Sequence, residues 1–302
     1  MVAAPAPDPP PRIDFVDPEC TSDLPGTPLH QSATYAAVLA SFGCTCALAE
    51  LRAQGALIGR ARIFSRRAGP LRLAWLPRGP VWSAASSAQQ RVHAIAALPR
   101  AAPWRALWAI SDDGQYPGCG IPVSRALQMA ELDLAPSKAS RRAALHGKWR
   151  NRLKRAEASG LGITARPLDV ARDAPLLALE AAQRRTRGYS GLPGAFTARW
   201  AKIAPDDTLM MIASEAGTPA AFMLMVMHGD GASYLTGWSG ARGRALNAHT
   251  LLLWRAACTL AELGHTRLDL GRIDPARAPG LARFKLGTGA EIRHVGATRL
   301  RF

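Results

Sequence analysis

The segment Leu246–Leu263 is apolar almost all round its helical projection, with one narrow polar stripe of Arg255, Thr259 and Glu262. A helix of that kind leaves only the stripe in water and must lay the rest against a sheet. The sequence supplies strands on both sides of it. Thr208–Ser214 and Ala220–His228 flank the turn Glu215–Pro219, Ala232–Trp238 follows, and His265–Leu270 comes after a stop at Gly264. Upstream lie a helix over Asp173–Arg187, the glycine-rich Gly188–Gly194 and a short helix through Trp200. Downstream, glycines at 271, 280, 287 and 289 lead into a closing strand, Ile292–Phe302.

The first half repeats this order of elements. Gln31–Phe42 reads as a helix closed by Gly43. Cys44–Leu51, Ala56–Phe64 and Leu71–Leu76 read as hairpin-linked strands, with Arg78–Trp82 ending the group. Ala84–Leu98 reads as a helix, and Ala106–Ile110 and Ala126–Leu134 as strands. The expectation is an α+β fold in two halves, each a mainly antiparallel mixed sheet flanked by helices. A chain of 302 residues has the length for one large or two medium domains. The expected boundaries are a disordered Pro-rich tail over 1–27, an N-terminal domain over 28–136, a connector helix over 137–160 and a C-terminal domain over 161–302.

That connector is the most basic stretch. Leu145, Trp149 and Leu153 recur every four residues, while Arg141, Arg142, Lys148, Arg150, Arg152, Lys154 and Arg155 surround them with no acid before Glu157. The whole chain carries a formal charge of +16, which draws polyanions and acidic ligands. The helix therefore either tracks nucleic-acid phosphates or is a solvated face. Hydrophobic residues at 48% exclude a wholly disordered chain. The start lacks the features of a signal peptide. The longest apolar stretch, Pro219–Met227, falls far below the ~20 residues of a membrane span. A soluble, cytoplasmic protein is expected, its five scattered cysteines acting as small buried hydrophobes.

The sequence has no G-x-S-x-G, Walker or dinucleotide fingerprint, and its seven histidines form no i,i+4 pair, so no metal site is expected. Gly240-Ala-Arg-Gly-Arg-Ala245 lies between a strand and the apolar helix. It half-matches the R/Q-x-x-G-x-G/A turn with which acetyl-coenzyme A enzymes of the GNAT superfamily hold pyrophosphate on backbone N–H groups. Gly240 stands where that pattern has Arg or Gln. Gly243, Arg244 and Asn247 are the donor-binding candidates there; an ordinary glycine turn is the other reading.

Several segments together resemble the FemAB/FemX-like family of peptidoglycan aminoacyltransferases, which are pairs of GNAT-like domains. They are Leu29-His-Gln-Ser32, Arg78-Gly-Pro-Val-Trp82, Leu132-Asp-Leu134, Lys148-Trp-Arg-Asn-Arg-Leu-Lys-Arg-Ala156, Asp269-Leu-Gly-Arg-Ile-Asp274 and Gly280-Leu-Ala-Arg-Phe-Lys-Leu-Gly-Thr-Gly289. The resemblance implies transfer of an amino acid from aminoacyl-tRNA to an amine of a peptidoglycan precursor or other small acceptor, with no cofactor, metal or acyl-enzyme. The long helical hairpin of FemA-type members is missing, as in the FemX type. Because acyl-CoA enzymes share the fold, acyl-CoA is the alternative donor. A non-enzymatic protein binding RNA or an anionic ligand is a third class.

Acyl transfer to an amine passes through a tetrahedral oxyanion, which needs a cation or N–H groups where its charge develops. The resemblance carries the family's transfer-site lysine onto Lys285. Phe284 beside it either walls the acceptor channel or packs in the core. Asp269 and Asp274 are the nearest carboxylates in sequence, each as base, as partner of Lys285 or as a plain cap. Arg187 and Tyr189 are candidates to clamp an acidic acceptor. Tyr234 and Trp238 are expected to share one strand face, lining the cleft or, for at least one of them, packing in the core. Lys148, Arg150 and Arg152 are the candidates for tRNA phosphates.

Overall fold

The computed structural model describes residues 10–18, 21–112, 120–189 and 191–301. Cys20, Cys119, the first nine residues of the expected tail and Phe302 lie outside them. The chain divides into two compact units, one formed by 1–127 with 294–302 and the other by 128–293. These are not the expected boundaries: the basic helix lies inside the second unit, and the chain end belongs to the first.

The first unit holds β1 (Arg12–Val16), α1 (Ala33–Ala40), β2 (Thr45–Ala53), β3 (Ala56–Ala68), β4 (Leu71–Pro77), β5 (Val81–Trp82), α2 (Ala88–Ala101), β6 (Leu107–Ser111) and β7 (Ile121–Pro122). Its sheet runs β1-β2-β3-β4-β6, then the terminal strand Arg299–Arg301, then β7. β1 falls within the expected disordered tail. Its Ile13 and Phe15 pack against the core and offset the ordering entropy of the strand, which pairs with β2 along its length. Two of the resembling motifs meet here: the Gln31 side chain bonds the backbone of Arg62 and Pro77, and a Cβ at Gly79 would stand 2.7 Å from it. The parallel pair β4/β6 is registered along all five residues of β6.

The second unit holds β8 (Leu127–Asp133), α3 (Lys138–Ala144), α4 (Gly147–Glu157), β9 (Gly162–Arg166), α5 (Ala174–Arg187), α6 (Gly194–Ile203), β10 (Thr208–Glu215), β11 (Thr218–His228), β12 (Gly231–Ser239), α7 (Ala241–Ala245), α8 (Ala248–Glu262), β13 (Arg267–Ile273), α9 (Pro279–Leu286) and β14 (Glu291–Val295). The sheet order is β14-β8-β13-β12-β11-β10-β9, antiparallel at β8/β13, β12/β11, β11/β10 and β10/β9 and parallel at β12/β13. The α+β class, with two mainly antiparallel sheets flanked by helices, is as expected. α8 buries Leu251, Leu252, Leu253, Ala256, Ala257 and Leu260 while Arg255 and Glu262 stay exposed, as its narrow stripe requires. The one connector helix read over 137–160 is two, α3 and α4, separated by extended backbone at Leu145 and His146; Leu145 at the break and Trp149, Leu153 and Ala156 of α4 join the same core. The single closing strand read from sequence is two: β14 pairs in this sheet and Arg299–Arg301 in the other.

Candidate active site

In the second unit the parallel ladder between β12 and β13 covers only Gly231–Ser233 against Arg267–Asp269. Beyond it, Tyr234–Ser239 and Leu270–Ile273 have no registered partners in each other, so the two strands part. The fully registered β4/β6 pair of the first unit has no such opening.

Lys285 comes to this stretch from α9, a short helix begun by Pro279. Its side chain is 6% exposed. Nζ donates to the Arg272 carbonyl at 2.8 Å and stands 3.5 Å from where a Cβ of residue 271 would lie. Gly271 has φ +80°, a left-handed conformation that a side chain would strain, at the register break between β13 and β8. Burial pulls the ammonium down from 10.5 to about 8, with the Asp269 charge opposing. The result is a compact, desolvated cation beside β13 backbone that pairs with β8 on one side and is left open by β12 on the other.

The two candidate acids separate. Asp269 is buried, and its Oδ1 accepts the Gly271 N–H at 2.7 Å, fastening the break in β13 next to Lys285. Asp274 holds the following turn: Oδ1 accepts the Arg277 N–H at 3.0 Å and Oδ2 takes Arg272 at 3.5 Å. Phe284 packs against the large core, its ring 6.3 Å from that of Trp149.

Tyr234 and Trp238 do not share a face. Tyr234 lies opposite Met225 and packs on the large core, whereas Trp238 lies opposite Phe222 and packs on the smaller core under α5. Met225 and Phe222 point to opposite sides of β11, and a bulge between Leu224 and Met225 inserts Leu235 into β12. The expected alternation fails because that extra residue is invisible in the sequence period. Tyr189 and Arg187 are exposed at the end of α5. The Tyr189 hydroxyl donates to Glu180 Oε1 and accepts from Gln183, both at 3.3 Å. Burial drives the Tyr234 phenol upward, with Tyr189 and the Glu180 carboxylate adding to it. Glu180, 5% exposed, was not among the expected site residues. It is the sole acid on an arginine-rich helix, and at i,i+4 from Arg184 it reads as a surface ion pair.

The donor candidates are occupied by the protein itself. A Cβ on Gly243 would strike the Ala220 carbonyl and stand 2.7 Å from Ser239 Oγ, so that glycine serves close packing against β11. Arg244 donates to the Ser239 carbonyl at 2.6 Å, and its neighbour Arg242 pairs with Glu215. Asn247 is left-handed at φ +54°, and its carbonyl accepts from Thr250 as α8 begins. On the basic helix, Arg150 bonds the carbonyls of Ala143 and Leu145. In α3, Arg141 is buried on the Ala257 carbonyl and Arg142 is paired with Glu157. Lys148, Arg152, Lys154 and Arg155 remain exposed and outside every ion pair found among the described residues. Among those residues no group of three His, Cys, Asp or Glu could hold a metal ion, and no helix is long and apolar enough to cross a membrane.

A family model described as an acetyltransferase (GNAT) domain matches residues 140–291, which takes in α4, the parting strands and Lys285. No curated protein matches the chain. Among solved structures, the crystal structure of FemX superposes with a TM-score of 0.72 at 12% identity, over 94% of this chain and 96% of that one. A conserved protein of unknown function from Bacteroides thetaiotaomicron gives 0.52 at 14% identity, over 80% and 83%. At such identities the likeness is one of fold.

Proposed function

The chain belongs to the acetyltransferase (GNAT) domain family, and from that membership we propose a Fem-like N-acyltransferase that moves an aminoacyl group from aminoacyl-tRNA to the amine of a small acceptor such as a peptidoglycan precursor. The observation that carries this reading is the buried Lys285 ammonium on the Arg272 carbonyl, beside β13 backbone that β12 leaves unpaired. In the proposed reaction the acceptor nitrogen attacks the ester carbonyl carbon. The new C–N bond forms as the C–O bond to the tRNA ribose breaks, and the amine proton ends on the ribose oxygen. Lys285 supplies positive charge where the oxyanion develops, a contribution of roughly 10²–10³ in rate for a single donor. Asp269 positions it by fixing the break at Gly271 and keeps it charged. Glu180, Tyr189 and Tyr234 form the acceptor side, with Arg187 at its edge.

Two observations favour a tRNA donor over acyl-CoA. The arginines of the 240–245 turn are engaged with Glu215 and the Ser239 carbonyl, whereas α4 offers four uncommitted cations to a polyanion. Two measurements decide it: calorimetry with coenzyme A, and filter retention of aminoacyl-tRNA. Retention without coenzyme A binding supports the reading; coenzyme A binding without retention overturns the donor.

A further inference from the structure

Between Glu50 and Asp112 the chain carries ten arginines and not one carboxylate. Five have work within the first unit. Arg52 and Arg60 hold Glu50, Arg62 holds Asp23, Arg72 lies over Trp104 and Arg91 over Trp82. Arg66 and Arg67 are exposed and enter no ion pair found among the described residues. They sit near the tip of the β3–β4 hairpin, which turns at Gly69–Pro70. β2 ends its pairing with β3 at Ser65, and β6 begins its pairing with β4 at Leu73. Residues 66–72 thus form a two-stranded tongue that outruns both neighbours.

The register sorts its side chains. Arg66 faces Leu73, Arg67 faces Arg72 and Ala68 faces Leu71. With the strand period of two, Leu71, Leu73 and Arg66 lie on the face that carries Trp75 and Phe64 farther in. Leu71 is 65% exposed and Leu73 41%. The helix covering that face, α1, packs Tyr35 on Phe64 and ends at Ala40, followed by the exposed Phe42. We propose that this tongue is an interfacial anchor for an anionic lipid surface. Leu71 and Leu73 enter the boundary between headgroups and acyl chains, while the Arg66 and Arg67 guanidinium groups stay among the lipid phosphates. The occupant follows from charge: an acid-free run of some sixty residues offers a lipid phosphate no repulsion. A second copy would bring the same cations to the same leucines.

The test is co-sedimentation of the full chain with vesicles of phosphatidylcholine alone or with about a third phosphatidylglycerol. The wild type is expected on the anionic vesicles only, and largely released by ~0.5 M salt. Leu71→Ser/Leu73→Ser and Arg66→Glu/Arg67→Glu, both at exposed positions, are each expected to cut the partition coefficient by about tenfold or more with unchanged circular dichroism. Lys148→Glu/Arg152→Glu, on the other basic surface, is expected to bind as the wild type does. Wild type that ignores anionic vesicles overturns the anchor, as do hairpin variants that bind undiminished. So does a leucine variant that changes only the oligomeric mass in sedimentation equilibrium, since that marks the tongue as a contact between copies.

Discussion

The indole Nε1 of Trp149 donates to the Phe284 carbonyl at 3.0 Å, and a Cβ on Gly287 would stand 2.7 Å from the same indole. The basic helix α4 and the lysine-bearing helix α9 are therefore one fitted joint, reinforced by the His146 N–H on the Gly287 carbonyl. Trp149→Phe keeps the apolar bulk and leaves a carbonyl without its donor, a loss of about 1–3 kcal/mol in urea unfolding. Because Phe284 precedes Lys285, turnover should fall more than acceptor KM rises. A stability loss with unchanged kcat would separate the joint from the site.

Lys285→Met tests the ammonium itself. Transfer should drop by about 10²-fold or more, while the fold is kept, because a similar apolar chain replaces a desolvated cation. Between about 8 and 10.5 the folded protein binds fewer protons at this lysine than the unfolded chain, so the lysine form gains stability as pH rises through that window. Below it the full burial cost is present. The Met variant escapes that cost but leaves the Arg272 carbonyl without its donor, so its stability relative to the lysine form should be highest near pH 7 and should decline by up to about 3 kcal/mol toward pH 10. A gap that stays constant across urea titrations at both pH values contradicts the buried cation.

The same titration predicts an alkaline limb. Turnover that needs charged Lys285 should decline above about 8. Asp269→Asn keeps an oxygen for the Gly271 N–H but removes the charge that holds the lysine up, so the limb should move to lower pH. Comparing the two profiles cancels titration of the acceptor amine, which both share. Superimposable limbs would remove Asp269 from this role.

Much of the architecture was legible in sequence because burial leaves a period. α8 reads as a sheet-backed helix from one narrow stripe, and the 149-153 spacing gives the buried face of α4, whereas Leu145, read on the same stripe, ends α3 in extended backbone. The candidate site was legible only through Lys285 and its glycines. Which cations are free depends on partners far away in sequence, as with Arg141 on the Ala257 carbonyl, 116 residues on. Glu180 was missed because an i,i+4 arginine disguises a buried acid, and the Tyr234–Trp238 face because one inserted residue inverts a strand. β1 was lost to the prolines that precede it.

Gly243→Ala distinguishes packing from donor binding in the 240–245 turn. Its Cβ would meet the Ala220 carbonyl, a backbone atom that cannot swing aside, so a cost of about 1–3 kcal/mol is expected from overpacking. A variant as stable as wild type in thermal melts would show that β11 and α7 can separate, and would return the glycine to the donor.

Four cations of α4, Lys148, Arg152, Lys154 and Arg155, stay exposed and enter no ion pair found among the described residues. Lys148, Arg152 and Arg155 follow one another at i, i+4 and i+7, so they line one side of the helix and can meet successive phosphates. If they hold tRNA, each phosphate they neutralise releases counterions and steepens the fall of affinity with salt by roughly 0.7–0.9 in log–log slope. Reversing all three to Glu should flatten that slope by about 2–3 and weaken aminoacyl-tRNA retention by several tens of fold near 0.1 M salt. Stability should barely move, because exposed charges without partners contribute little to the fold. Lys285→Met, by contrast, should leave retention intact while abolishing transfer, so the two variants divide binding from chemistry. Equal retention by the triple variant and the wild type at every salt concentration would take the polyanion away from α4.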